Sequence, residues 1–404
     1  MRWKALILIG SAVSAVVSPR AQDSLDRLSE VLTFSAFDHQ IRSRISGLAD
    51  IEGYAFDRPA AGLIDSEHSV LFNPRLTLFL DAQAGDHVYL FVQGRIDRGF
   101  DPSDRGAEGR LDEYAIRYTP RLDGRINFQV GQFATVIGNW VPRHLSWDNP
   151  FITAPTPYNR MTAIYDTEAP SSLAQFVTID ADEFYEYNPV LWGPVYATGG
   201  SVAGKIGGFE YAAEIKNAGP SSRPESWNLG HAPFERPNFA GRIGFSPDLR
   251  WNFGASASVG PYYQPEASAT LPPGRSVDGY RQILLGQDIR FEWHHFQIWA
   301  EVFETRFEVP NVGNADVLSY YLEGKYKFTP QFFGALRWNQ QFFARVSDGT
   351  GSSVRWGEDI WRVDSALGYR FTSHLQLKVQ YSVQQSLQAE DFSDIVAAQL
   401  TLRF

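Results

Sequence analysis

In "HLQLKVQYSVQQS" (residues 374–386) apolar and polar side chains alternate without a break: Leu375, Leu377, Val379, Tyr381 and Val383 against Gln376, Lys378, Gln380, Ser382 and Gln384. Period two is strand periodicity, so the apolar set covers one face and the polar set the other. One such strand fits a soluble sandwich as well as a membrane barrel. The rest of the chain separates the two. The same alternation recurs in "VYLFVQGRID" (88–97), "YAIRYT" (114–119), "FEYAAEIK" (209–216), "RWNFGASASV" (250–259), "SYYLEGKYKF" (319–328), "FGALRWNQ" (333–340) and "WRVDSALGYRF" (361–371), with aromatics near the strand ends. Alternating segments of about ten residues with aromatic ends are the sequence form of a transmembrane β-barrel.

Sixteen such segments are predicted, near 45–56, 70–82, 87–98, 111–120, 125–135, 196–206, 208–217, 238–246, 249–260, 281–293, 295–307, 317–328, 331–343, 360–371, 374–386 and 394–404. Every second connection is tiny: "AGD" at Ala84, "RLDG" at Arg121, "GG" at Gly207, "SPD" at Ser246, "HH" at His294, "TP" at Thr329 and "TSH" at Thr372. The intervening ones are longer and rich in Gly, Pro, Ser and Asp. Short periplasmic turns and long extracellular loops describe an all-β, antiparallel up-and-down barrel over residues 44–404. A barrel of about 16 strands leaves an aqueous channel, where an eight-stranded one fills with side chains.

The two ends agree. "MRWKALILIGSAVSAVV" has a basic start and an apolar run from Ala5 to Val17, the layout of a signal peptide, with a cut placed near Ala21. Residues 22–43 form a periplasmic segment with helical spacing at Leu25, Leu28 and Leu32. At the other end "DIVAAQLTLRF" (394–404) alternates to a terminal Phe404 with no polar tail. With 29 Phe, 18 Tyr and 11 Trp but no cysteine, an exported chain relies on packing and strand pairing. A net charge of −10 argues against a nucleic-acid partner.

These features resemble the bacterial outer-membrane porins. The last strand, with Leu400, Leu402 and Phe404, is similar to the assembly signal that the barrel-assembly machinery reads in that family. "YAIRYTPRLDGRINFQVGQFATVIGNW" (114–140) resembles the segment of phosphate-selective-type porins in which a Gly-x-Phe enters a long third loop. The basic residue that anion-selective members place after that Phe is Ala134 here. The resemblance implies a third loop folded into the barrel, lipid and lipopolysaccharide around it, and a homotrimer as a common assembly.

The segment 138–195 is far longer than ordinary loops of about 12–15 residues, so it is functional or structured. Its second half carries Asp166, Glu168, Asp180, Asp182, Glu183 and Glu186. Facing inward from the strands are Arg75, Arg95 and Arg117, then Arg337, Arg362 and Lys378, with Asp50, Glu52, Asp81, Glu113, Asp288, Glu323 and Asp364 among them. An acidic loop opposite an arginine wall would set a transverse field at a constriction, with weak cation preference. The loop aromatics Trp140, Trp147, Tyr158, Tyr165, Phe184, Tyr185, Tyr187 and Trp192 are expected to pack the loop against the wall rather than to form a sugar path.

No G-x-S-x-G, H-E-x-x-H or paired-Cys motif is present, so no catalytic residue, metal site or cofactor is predicted. The expected function is a porin for passive diffusion of ions and small hydrophilic solutes. The alternatives are a sugar- or anion-specific channel, or a secreted glycan-binding β-sandwich.

Overall fold

The computed structural model describes residues 19–38, 40–56, 69–99, 106–178, 186–230, 234–347, 353–386 and 392–404. Of the expected signal peptide, residues 1–18 lie outside them, as do Asp180, Asp182, Glu183, Phe184 and Tyr185. Sixteen long strands follow one another around a closed antiparallel barrel. They are β1 (Ile41–Phe56), β2 (Val70–Ala84), β3 (Val88–Asp97), β4 (Glu108–Tyr118), β5 (Asn127–Phe133), β6 (Ala197–Ile206), β7 (Phe209–Lys216), β8 (Asn238–Phe245), β9 (Trp251–Pro261), β10 (Arg281–Trp293), β11 (Phe296–Val309), β12 (Gly313–Lys327), β13 (Phe332–Phe343), β14 (Ile360–Arg370), β15 (Leu375–Ser386) and β16 (Ser393–Arg403). The closed barrel rules out the sandwich alternative. No helix among the described residues is long and apolar enough to cross a membrane.

Closure is made by β16 on β1, in a register that sets Leu48 opposite Arg403 and Tyr54 opposite Ala397. The terminal Phe404 extends the seam, exchanging N–H···O bonds of 3.1 Å in both directions with Gly47. Its ring lies over Gly47, where any Cβ would overlap it. Pairing the last strand with the first leaves no edge with unsatisfied backbone groups, which a hydrocarbon surrounding requires.

Burial along the strands runs opposite to that of a soluble protein. In β15, Lys378 and Ser382 are 0% exposed while Val379 and Tyr381 are 46% and 45% exposed. Polar side chains fill the inside and apolar ones cover the outside, as expected for Leu377 and Val379 outward and Gln376, Lys378 and Gln399 inward. Leu400 lies on the outer face in register between Ile51 and Leu377 and is itself buried.

One rim carries the short connections. Gly207–Gly208 and His294–His295 are two-residue hairpin loops, with Gly207 at φ 60 and His294 at φ 52. Such loops require left-handed backbone so that the turn follows the strand twist. The opposite rim is mostly long loops, with one departure from the sequence reading. The stretch read as a loop between 307 and 317 is strand, and β11 and β12 meet through only Pro310–Val312, with Asn311 at φ 59 and Gly313 at φ 103.

The amino-terminal segment is ordered at the short-turn rim. Helix α1 (Pro19–Val31) leads into a short strand, Thr33–Ala36, that pairs with the start of β1. The His374 Nε2 in the last short turn lies 2.8 Å from Asp26 of α1.

Candidate functional site

Between β5 and β6 the chain turns into the barrel and lines its interior. Segment 134–196 contains two one-turn helices, Thr156–Asn159 and Leu173–Phe176, and a small ladder of Met161–Tyr165 with Tyr187–Pro189. Its apolar side, with Ile137, Trp140, Val141, Tyr158, Ile164, Val190 and Leu191, joins Trp299, Phe303, Phe307 and Tyr321 of β11 and β12 in one buried cluster. Trp140 and Tyr158 pack at a tilt with ring centroids 4.5 Å apart, and Tyr158 meets Phe303 edge-on at 5.9 Å. Trp140, Trp147, Tyr158 and Trp192 are buried and pack the loop, and of the four Trp140 and Trp192 also border the cleft described below.

Polar pins hold the rest of the loop to the same side. Lys378 Nζ donates to the carbonyls of Ser146, Asn149 and Phe151 at 2.8, 2.9 and 3.0 Å. Arg337 Nη2 donates to the Thr153 carbonyl at 3.0 Å and Arg362 Nη2 to that of Ala154 at 2.6 Å. Gln380 Oε1 accepts from the Ile152 and Thr153 N–H groups at 2.6 and 3.2 Å. From the loop, Arg143 reaches Glu323 at 2.5 Å and lies over the Trp299 ring at 4.4 Å. The Glu301 carboxylate accepts from the backbone N–H groups of Asn139 and Trp140 and from the Tyr158 hydroxyl. Buried carbonyls and carboxylates are thus paired, as a water-poor interior demands.

Arg337, Arg362 and Lys378, read from sequence as open pore wall, are therefore covered. Arg337 is paired with Asp364 at 2.8 Å and lies 3.5 Å from Glu323, and Arg362 is 3.1 Å from Asp364. The inward direction is as read; the loop over it is what the alternation cannot reveal.

On the other side, a cleft remains between the loop and strands β1 to β4. Its barrel side runs from Leu48 and Thr77 to Tyr54, Asn73 and Asp97, and its loop side includes His144, Ser146, Asn149, Phe151, Thr153 and Trp192. Along β1, from Leu48 to Tyr54, that is six residue steps, roughly 20 Å of strand. Three arginines project here, each tied to acids of the same wall. Arg75 lies 3.1 Å from Asp50 and 2.5 Å from Glu52. Arg95 lies 2.9 Å from Asp112, and Arg110 lies 2.6 Å from Asp97 and 3.0 Å from Asp112.

Arg75 and Arg95 are thus brought together, whereas Arg117 is not. It sits towards the short-turn rim, bonded to Gln129 at 2.9 and 3.0 Å and over the Tyr89 and Phe91 rings. Asp97 shares the inward parity of Arg95 but is not among the wall residues read from sequence, whereas Arg110 and Asp112 are absent from that reading for a local reason. A bulge opposite Gln93 and Gly94 inserts Asp112 between two pairs and shifts the inward parity from Glu113 and Ala115 to Arg110. Strict alternation carries no sign of it.

The acidic half of the loop is arranged differently from the expectation. Asp166 is fully buried, 3.0 Å from Arg223, and accepts from Asn188 and Gln264 at 3.2 and 3.3 Å. Burial raises its pKa, and Arg223 opposes that rise. Glu168 accepts from Gln175 Nε2 at 3.0 Å. Neither these two nor Glu186 lines the cleft. Described loop residues that do line it carry no carboxylate. His144 donates from Nδ1 to the Val141 carbonyl at 2.6 Å and accepts at Nε2 from the Tyr196 hydroxyl at 2.7 Å. Burial pulls its pKa down to about 4, so it is neutral at ordinary pH.

The closed barrel fold is shared with solved structures. OmpT, an outer membrane protein of Vibrio cholerae, superposes with a TM-score of 0.57 at 10% identity, over 92% of this chain and 99% of that one. Salmonella typhi OmpF, solved in complex with daunomycin, gives 0.57 at 10% identity over 92% and 100%. An anion-selective porin from Comamonas acidovorans gives 0.56 at 9% identity over 90% and 100%. The chain has the fold of the bacterial outer-membrane porins. No family model matches it, and no curated protein matches it by sequence. The porin fold is thus reached from only about one residue in ten held in common, because alternation, closure and turn geometry define a barrel without fixing side-chain identities.

Proposed function

We propose that the protein is an outer-membrane channel for passive diffusion of ions and small hydrophilic solutes, rather than an enzyme, with the cleft between the inner loop and β1–β4 as its path. The observation that carries this reading is the charged, solvent-reached wall of β1–β4 inside a closed barrel whose other half is sealed by the loop. In this reading the short-turn rim is periplasmic and the long-loop rim extracellular. Lipid and lipopolysaccharide surround the apolar outer face, and Phe404 serves the assembly machinery. A homotrimer is part of the proposal, supported by the Vibrio cholerae protein having been solved in a trimer form.

Selectivity comes from the wall and not from the loop. Asp50, Glu52, Asp97 and Asp112 against Arg75, Arg95 and Arg110 leave one net negative charge beside the path, and charges beside a narrow path act on the ion with less screening than those in the vestibules. The channel therefore prefers cations weakly and discriminates mainly by size. Planar-bilayer recording with purified protein tests this. Discrete conductance steps with a small cation-selective reversal potential support it, and a bilayer that stays silent over a properly folded barrel refutes it.

A further inference from the structure

Among the described residues, one guanidinium inside the barrel has no counterpart. Arg160 follows the one-turn helix Thr156–Asn159, and only its backbone N–H is bonded, to the Thr156 carbonyl at 2.9 Å. Among the described residues its side chain has neither a hydrogen bond nor an ion pair, and its Nε is shut off from solvent. Arg75, Arg95, Arg110, Arg242, Arg337 and Arg362 of the barrel strands and Arg143 of the loop each have a carboxylate.

The surroundings sharpen the imbalance. Arg160 is close enough to Arg362 for the two charges to repel. Arg362 and Arg337 share Asp364, and the second acid near Arg337, Glu323, is already held by Arg143. The carboxylate that acts on Arg160 is the exposed Glu358, too far off to bond. Further along the same wall, Gln341 is fully buried with its Nε2 donor unpartnered, two residues from Asn339, which lies opposite Arg362. A buried donor left unmatched is costly, and in native proteins such groups have a reason. Arg160 is also within reach of solutes, since it is only half-buried and the preceding Asn159 lines the cleft.

We propose that Arg160, backed by Arg362, is a binding site for an oxyanion, the carboxylate or phosphate group of a small solute entering the barrel. A guanidinium presents paired N–H donors that fit such a group in two parallel hydrogen bonds, and the anion supplies the charge that this part of the interior lacks. The site depends on the channel reading only for how the solute arrives.

The test is isothermal titration of the detergent-solubilised full chain at neutral pH and constant ionic strength, with sodium acetate and inorganic phosphate as separate probes against chloride. The wild type should saturate with at least one probe, and which one identifies the preferred group. Arg160→Gln should weaken that binding at least tenfold, and Arg160→Lys, which keeps the charge but not the fork, less. Heat-modifiable gel mobility of each variant confirms that the barrel has formed. No saturable binding of either probe, or equal binding by Arg160→Gln, would overturn the proposal. A chain that binds the anion but passes no current in a bilayer would overturn the channel reading and leave this site standing.

Discussion

The wall of β1–β4 and the wall of β12–β15 are built from the same materials and do different things. Each projects arginines inward and each pairs them with carboxylates of neighbouring strands: Arg75 with Asp50 and Glu52 on one side, Arg337 with Asp364 and Glu323 on the other. What differs is the inner loop. On the second wall the donors left over after ion pairing go to loop carbonyls, so the charges become anchors. On the first wall they meet the water of the cleft. The role of an inward charge is thus set by what lies over it, and not by its strand.

This contrast can be broken from the anchored side first. Arg337→Leu takes from Asp364 its shortest ion pair in a site from which water is excluded, and breaking a buried pair costs about 3–5 kcal/mol. The folded, heat-modifiable fraction should fall sharply and its melting temperature drop by many degrees. Arg75→Gln removes a partly exposed group and should leave folding much closer to wild type, because Asp50 keeps the Thr401 hydroxyl as a donor and Glu52 keeps the Tyr54 hydroxyl and the Gln399 amide.

Lys378→Met should be next in size. It strands three loop carbonyls, each costing about 1–3 kcal/mol if unsatisfied, so the loop loosens rather than the barrel opening. Single-channel records should show higher mean conductance and more current noise, with the barrel still heat-modifiable. An unchanged conductance would mean that the lysine is not what holds the loop down.

On the open side, replacing Arg75, Arg95 and Arg110 together by Gln should shift the reversal potential towards stronger cation preference. Glu168→Gln should leave it where it was, since that carboxylate is tied to Gln175 and does not line the cleft. A shift with Glu168→Gln and none with the arginines would restore the acidic-loop field expected from the sequence.

The smallest effect concerns pH. His144 has a folded pKa near 4 against an ordinary value of 6.5. As pH falls below about 6.5 the unfolded chain takes up a proton there that the folded loop refuses, so stability declines down to about pH 4 and then levels off. His144→Gln should flatten that decline in melting temperature. Conductance between pH 5 and 8 should not follow this residue.

How far the sequence carries can be seen strand by strand. All sixteen strands were legible, because lipid on one side and water or polar groups on the other impose period two on every strand. The seven short turns were legible for the same reason that Gly207 is needed: tight hairpins restrict which backbone conformations, and so which residues, fit. Arg110 and Asp112 were not, since a bulge flips parity without any change in composition. Nor was the burial of Lys378, Arg337 and Asp166. Those depend on where residues 138–195 settle, and a Pro-rich, aromatic loop has no periodicity from which to read a path.

The division of the barrel into an open and a sealed wall is tested most directly by reactivity. The chain contains no cysteine, so each introduced thiol reports alone. Asn73→Cys lies in the cleft lining, and Ser382→Cys lies under the loop in a fully buried position. Treated with a charged, bulky thiol reagent during bilayer recording, the first should lose a large part of its current within the reaction time and the second should keep it. Block at residue 382 with none at residue 73 would place the path on the other wall and contradict the account.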